Sequence, residues 1–214
     1  MREGNMDTIT RADTLQGLTL DAGTALDLLT GAAIAAHSKA DLPALNCVNV
    51  SASAGIFTAV ATDRYRLIYG EVTLAGEGEG VTLDPISIPL ADIKRITAAI
   101  KALSKAALGR ATVSLNRAGD ILTVTINAGE GGTNLVVNLY TGQKFPPFKQ
   151  LFEGEAAPVS ELRIDAAYLA SFDKVPTNGG GQLITFTGDK KPIKMKINHE
   201  KINWHGLLMP MRTN

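Results

Sequence analysis

From Gly17 onward the hydrophobic positions change period in a recurring order: alternation, then helical spacing, then alternation again. Leu18–Asp21 reads as a short strand. Thr24 caps the helix expected after it, which runs to about Ser38 with Leu26, Leu29, Ala33, Ile34 and His37 at helical spacing. Pro43 closes that segment, and strands are expected at Leu45–Ser53, Ile56–Ala61 and Arg66–Thr73. The Gly-rich run 75–80 is a loop, and Val81–Ile88 reads as a further strand. A second helix is expected from Pro89 to about Leu108, with an apolar stripe at Ile93, Ile96, Ile100, Leu103 and Ala107 and a stop at Gly109. Strands at Ala111–Asn116, Ile121–Asn127 and Asn134–Tyr140 follow, separated by Gly-containing turns. After a Pro-rich connector at 141–158, the pattern opens a third time. Here Glu161–Ile164 reads as a strand, and a helix over Ala166–Val175 buries Tyr168, Leu169 and Phe172. Strands at Gln182–Thr187, Ile193–Ile197 and Trp204–Pro210 complete it.

The chain therefore reads as α+β, three copies of one strand–helix–three-strand unit. Residues 1–14 form a tail, 15–144 a two-unit domain, 145–158 a connector, and 159–214 a single unit. One unit is amphipathic on both helix and sheet and cannot cover both faces alone; paired units can set helices on one side and sheets on the other.

Composition narrows the function. Lys+Arg and Asp+Glu are 21 each, so net charge is zero. That argues against a protein held to nucleic acid by phosphate contacts alone, while leaving room for a local basic face. The single cysteine, Cys47, permits no intrachain disulfide and fits a reducing cytosol. The expected location is therefore the cytoplasm; neither a secretory leader nor an apolar run long enough to span a membrane is read. No phosphate-binding loop, dinucleotide fingerprint, nucleophile elbow or metal-ligand spacing is found, so neither enzyme activity nor a cofactor or metal is expected. Glu77 and Glu79 sit in a Gly-rich loop that reads as solvated, and Asp63 reads as a turn-stabilising side chain.

On the second helix Lys94, Lys101 and Lys105 fall together opposite the apolar stripe, with Arg95 beside them and Asp92 in the first turn. Such a face is either ordinary solvated surface or a surface that meets phosphates without reading bases. His37 and Lys39 at the end of the first helix, and Lys174 at the end of the third, can join it. Contacts of this kind are weak and salt-sensitive, which suits a protein that slides while topology retains it.

Several segments, in order, resemble the bacterial beta sliding clamp family. Ala61-Thr62-Asp63-Arg64-Tyr65-Arg66-Leu67 is similar to its Ala-Thr-Asp-x-x-Arg-Leu signature, and Asp41-Leu42-Pro43-Ala44-Leu45 to its Pro-x-Leu segment. Ser87-Ile88-Pro89 resembles its Ile-Pro step into a helix, and Gly142-Gln143-Lys144-Phe145-Pro146-Pro147-Phe148 its interdomain connector. Leu207-Leu208-Met209-Pro210-Met211-Arg212 is similar to its C-terminal ending. The resemblance covers most of 17–212 and implies a ring that encircles duplex DNA, with helices lining the hole and antiparallel sheets outside. It also implies a hydrophobic pocket for short peptides of DNA polymerases and clamp loaders. The matching positions are Thr62, Arg64, Tyr65, Arg66 and Leu67, then Pro146 and Leu151, then Leu207, Met209, Pro210, Met211 and Arg212. Methionine-rich surfaces suit several related ligands, although Met209 and Met211 also fit ordinary strand packing.

Arg64 stands where the family usually has Gly, and the family has three full two-unit domains where this chain has three units. The three units resemble the middle domain plus half of the last, which points to a shortened, phage-encoded member. An exposed half-domain edge invites self-association. If a ring needs about twelve units, about four chains close it; a different unit count leaves a trimer open. A non-encircling adaptor or decoy for clamp-binding peptides, or a transcription coactivator, is the competing reading.

Overall fold

The computed structural model describes residues 14–74, 76, 80–129, 131–179 and 181–211. Most of the expected tail, Glu77, Glu79 and Arg212 lie outside the described residues. The first unit holds β1 (Thr14–Asp21), α1 (Ala22–Ala33), β2 (Cys47–Ser53), β3 (Ile56–Thr62) and β4 (Arg66–Thr73). The second holds β5 (Leu83–Pro89), α2 (Leu90–Lys101), α3 (Lys105–Leu108), β6 (Thr112–Ala118), β7 (Ile121–Asn127) and β8 (Gly132–Asn138). The third holds α4 (Ala166–Ser171), β9 (Gln182–Thr185), β10 (Ile193–Ile197) and β11 (Asn203–Leu208). Short 3₁₀ turns at Lys149–Phe152 and Phe172–Lys174 complete the described elements.

Several local expectations are corrected. Asp21, not Thr24, caps α1: its Oδ1 accepts the Thr24 N–H at 2.8 Å, because the capping side chain sits before the helix and reaches forward to its third residue. The helix ends at Ala33 rather than Ser38. Ala35 and Ala36 N–H groups bond three residues back in a tightened last turn, and the His37 N–H leaves the helix for the Leu45 carbonyl at 2.9 Å. The second helix breaks after Lys101, and Ser104 starts α3 by accepting the Ala107 N–H at 3.2 Å. In the third unit Glu161–Ile164 is not a ladder strand. Its helix becomes a 3₁₀ turn after Ser171, leaving Tyr168 and Leu169 half-buried while Phe172 is fully buried. The last strand stops at Leu208, short of Pro210, which has no N–H for the ladder.

The strands form two antiparallel sheets, one ordered β1-β6-β7-β8 and the other β5-β2-β3-β4-β11-β10-β9. The first two units exchange their opening strands. β1 lies on the second unit's β6, with Leu18 opposite Leu115 and Leu20 opposite Val113. β5 lies on the first unit's β2, with Ile86 opposite Val50 and Ile88 opposite Val48. Each unit thus supplies the edge that the other lacks. α1 packs on α2 and reaches strands of both sheets.

The third unit joins through the last strands, β4 pairing with β11 so that Leu67 faces Leu207. One continuous apolar core links all three units through residues such as Leu28, Ile93, Leu122, Phe172, Met195 and Trp204. Trp204, fully buried on β11, fills the space that Gly31 on α1 and Gly70 on β4 leave. A Cβ at Gly31 would stand 2.6 Å from Trp204 Cζ2, and one at Gly70 2.7 Å from Cζ3. Among the described residues no helix is long and apolar enough to cross a membrane.

Candidate functional site

The turn between β3 and β4 is built on Asp63. Its Oδ1 accepts the Tyr65 and Arg66 N–H groups, both at 3.0 Å, and its Oδ2 accepts Arg66 Nε–H at 3.0 Å. This buried carboxylate directs three hydrogen bonds into the turn, which is structural work. Thr62 adds a hydroxyl bond to the Arg66 carbonyl at 2.7 Å. Arg64, at the tip, has φ +80°, a conformation that favours glycine, so a residue with a full side chain is held here at a sterically demanding point.

The turn presents a ledge. Tyr65, 52% exposed, stacks on Tyr168 of α4 with ring centroids 5.7 Å apart and planes 18° apart. The Arg66 guanidinium lies 4.9 Å from the Tyr168 centroid, within cation–π range. The chain leaving β11 runs alongside: the Met209 N–H bonds the Tyr65 carbonyl and the Met211 N–H bonds the Arg163 carbonyl, each at 2.8 Å. Met209 and Met211 remain 40% and 45% exposed. Backbone bonds therefore fix this segment while its thioethers face solvent, an arrangement suited to an adaptable apolar contact.

Leu67 and Leu207, side by side, belong to a different layer. With Val60 and Tyr69 they form a small buried cluster covered by Phe145, Phe148 and Phe152 of the connector. His205 stacks on Tyr69 at 4.6 Å between centroids. Burial, aided by the Glu71 charge, pushes the Tyr69 phenol up to about 12. Burial holds the His205 imidazole below its ordinary value, with Lys196 acting in the same direction and Glu71 against it. The Lys194 ammonium clamps the connector by donating to the Phe152, Glu153 and Gly154 carbonyls at 2.7, 2.8 and 2.7 Å.

Of the expected pocket residues, Thr62, Arg64, Tyr65, Arg66, Met209, Pro210 and Met211 come together at the ledge, with Leu67 and Leu207 in the cluster next to it. Pro146 instead lines a groove of about 690 Å³ between the connector and β5, together with Asn49, Ser87 and Tyr140. Leu151 projects to solvent from the 3₁₀ turn. Sequence reasoning missed Tyr168, which it placed in the core, and Arg163. Nothing in the sequence set Tyr168 apart from a core aromatic, because the helix expected over Ala166–Val175 is longer than the six residues that α4 spans.

On the helical layer, Lys94, Arg95 and Lys101 are exposed along α2, Arg95 being paired with Asp92. Lys105 is exposed but opens α3, so it is not on the same helix. His37 lies beyond α1 and bonds Asp41 at 2.8 Å; this bond holds the Asp41 carboxyl below its ordinary value. Lys39 is exposed past α1, and Lys174 sits in the 3₁₀ turn after α4. α1 itself carries no basic residue, its one charge being Asp27. The basic face is therefore a property of α2 and its immediate surroundings, not of all three helices.

No protein-family model matches the chain, and no curated protein sequence matches it. Solved structures do. The DNA polymerase III beta subunit of Thermotoga maritima superposes on 100% of this chain and 70% of its own, with a TM-score of 0.74 at 12% identity. The beta sliding clamp of C. crescentus gives a TM-score of 0.74 at 14% identity, over 100% of this chain and 69% of that one. The DNA polymerase III beta chain of Streptococcus pneumoniae gives 0.73 at 16% identity, over 98% and 67%. The chain has the sliding-clamp fold, α+β with antiparallel sheets.

Proposed function

We propose that this protein is a sliding clamp, a processivity factor that encircles duplex DNA as a ring of identical chains inside the cell and performs no catalysis. The observation that carries the reading is the superposition of the whole chain on bacterial beta clamps. In this reading the α2 face, Lys94, Arg95 and Lys101, with Lys105, Lys39, His37 and Lys174 around it, meets the phosphate backbone without reading sequence. The ledge from Thr62 to Arg66 with Met209, Pro210 and Met211, the adjoining Leu67 and Leu207, and Arg212 beyond them receive peptides of the polymerase and the clamp loader.

Oligomerisation is supported by the sheet edges. The last strands of units one and three, β4 and β11, already pair with each other. β8, the last strand of unit two, has a neighbour on one side only among the described residues, and its Val136 is 57% exposed. Such an edge is open to the same kind of joint with another copy.

The test is solution mass across a wide concentration range, followed by retention on nicked circular and on linear DNA. A discrete closed oligomer of about three or four chains, held by circles and lost from linear ends, supports encirclement. Lys94→Glu with Lys101→Glu should then weaken DNA retention by on the order of tenfold while leaving the mass unchanged. A strict monomer would overturn encirclement and leave the non-encircling adaptor in its place.

A further inference from the structure

We propose that the third unit is completed by the third unit of a second copy, the two exchanging residues 161–164 about a two-fold axis. This rests on the clamp reading only for its biological use; the geometry comes from the chain itself. In the first two units the residues before each helix lie on the first strand after the partner unit's helix. Two positions before the helix, Leu20 and Ile88 are buried opposite Val113 and Val48. Four positions before, Leu18 and Ile86 are buried opposite Leu115 and Val50.

Among the described residues the third unit carries both halves of this arrangement with no strand paired to the donor segment, whose Arg163 carbonyl accepts the Met211 N–H while Leu162 and Ile164 rest half-buried against the core. Before α4 the same two positions are Ile164 and Leu162, alternating with polar Arg163 and Asp165. The strand that would receive them is β9, which among the described residues has β10 on one side and no strand on the other. Only past its end does the connector touch this edge, where the Ala157 N–H bonds the Phe186 carbonyl at 2.9 Å. Leu183, Ile184 and Phe186 are 65%, 41% and 42% exposed. An apolar groove of about 410 Å³ opens beside them, lined by Leu162, Ile164, Leu169, Ile184, Phe186 and Met195. The helix lacks cover as well: α4 buries only Ser171, whereas α1, covered by α2, buries residues along its length.

A second copy is the occupant that answers both needs at once. Donor and acceptor lie on the same unit, so one two-fold operation satisfies two edges, as an isologous interface requires. On β9 the inner face belongs to Ile184 and Gln182, opposite buried Met195 and Ile197, as Val50 and Leu115 stand opposite buried Ala59 and Val124, and the connector's bond to Phe186 closes the edge beyond them. The register follows: Leu162 opposite Ile184 and Ile164 opposite Gln182 on the inner face, with Arg163 opposite Leu183 and Glu161 opposite Thr185 outside. Leu162 then meets apolar Ile184 inside, as Leu18 and Ile86 meet Leu115 and Val50, whereas Ile164 meets half-buried Gln182 where the first two units have valine.

Disulfide trapping of the full chain tests this. Arg163→Cys with Leu183→Cys places two exposed thiols opposite each other across copies, within the span a disulfide allows. Cys47 does not compete, since it is buried and burial pushes its thiol up to about 11. Under mild oxidation this variant, and Glu161→Cys with Thr185→Cys, should convert almost wholly to covalent dimer. Each single variant, and the off-register pair Glu161→Cys with Leu183→Cys, should stay monomeric on denaturing gels. Trapping by the off-register pair as strong as by the matched pairs, or no trapping by either matched pair in protein with native ellipticity, would overturn the proposal. An unlinked but closed oligomer would sink the exchange and leave the clamp reading standing. A trapped dimer in assemblies that circular DNA does not hold would do the reverse.

Discussion

Gly31→Ala is the substitution on which local and tertiary reasoning disagree in sign. Gly31 lies within α1, where replacing glycine by alanine ordinarily adds about 1 kcal/mol of stability. Here the new methyl would stand 2.6 Å from Trp204 Cζ2 and 3.1 Å from Pro176 Cδ, and closer still to Trp204 Cη2. Carbon atoms rest at about 3.5–4.0 Å, so the indole must retreat by on the order of 1 Å. It has nowhere easy to go: Trp204 is fully buried, and its other flank meets the backbone of Gly70. Overpacking of this kind costs about 1–3 kcal/mol, and a rigid, enclosed ring belongs at the upper end. Set against the helical gain, the expected net loss is about 2 kcal/mol, or a fall in Tm of roughly 4–8 °C for a domain of this size. The assay is thermal and denaturant unfolding followed by far-UV ellipticity and by the emission of the one tryptophan. Both signals should move together, because that tryptophan sits in the core shared by all three units. Gly31→Ala combined with Trp204→Phe should recover on the order of 1–2 kcal/mol relative to additivity, since the smaller ring leaves room for the methyl. A gain of about 1 kcal/mol from Gly31→Ala alone would refute the packing argument and reduce Gly31 to an ordinary helical position.

Two further outcomes are expected. Because burial lowers the His205 pKa in the folded state, the unfolded chain takes up the proton first; stability should be full above the ordinary value of 6.5 and fall as pH drops below it toward the depressed folded value. His205→Phe should flatten that part of the Tm–pH curve, and an unchanged curve in the variant would exclude His205 as its source. Met211→Ala keeps the backbone bond to Arg163 but removes an exposed thioether, so binding of a labelled polymerase-derived peptide should weaken by on the order of fivefold to tenfold in fluorescence anisotropy. Unchanged affinity would move docking away from the C-terminal segment.

What could be read from the residues alone was what neighbours in sequence decide. β4 and β10 have the bounds that the residue pattern predicts, Arg66–Thr73 and Ile193–Ile197; β10 alternates against one core, while β4 is buried on both faces, Ile68 and Val72 in the main core and Leu67 and Tyr69 in the second cluster. The apolar stripe of α2 is likewise buried at Ile93, Ile96 and Ile100. Helix ends were less legible. Capping is decided by which side chain reaches a free N–H, so Asp21 took the role assigned to Thr24, and Ser104 split what periodicity joined. The exchange of β1 and β5 was not legible at all, since period fixes which face a strand buries but not which strand it pairs with. The same blindness explains Glu161–Ile164, whose pattern is that of a strand although nothing in the described chain pairs with it as one. For the candidate site, Thr62 to Leu67 and Leu207 to Met211 were found by resemblance, and the structure brings both stretches together across the β4–β11 ladder. Tyr168 was missed because helical spacing cannot distinguish a core aromatic from one that stacks on a turn of another unit.

The ledge and the core are two faces of one joint. Tyr65 and Arg66 come from the first unit, while Tyr168, Met209 and Met211 come from the third. Their relative position is therefore set by whatever locks those units together. Hydrogen bonds along β4 and β11 fix the direction of approach, but an antiparallel ladder by itself tolerates twist and slippage when its faces are weakly specified. Trp204 removes that freedom: it lies on β11 opposite Gly70 of β4, and its ring reaches Gly31 of α1. A one-residue slip would turn this indole out of its slot and expose it. On the opposite face the phenylalanines of the connector close over Tyr69, Leu67 and Leu207, so the same ladder is pinned from both sides. A ledge held this way is preorganised for a ligand, whose binding need not order it first. It follows that variants of Gly31 or Trp204, far from the exposed methionines, should lower peptide affinity at temperatures well below those that unfold the chain.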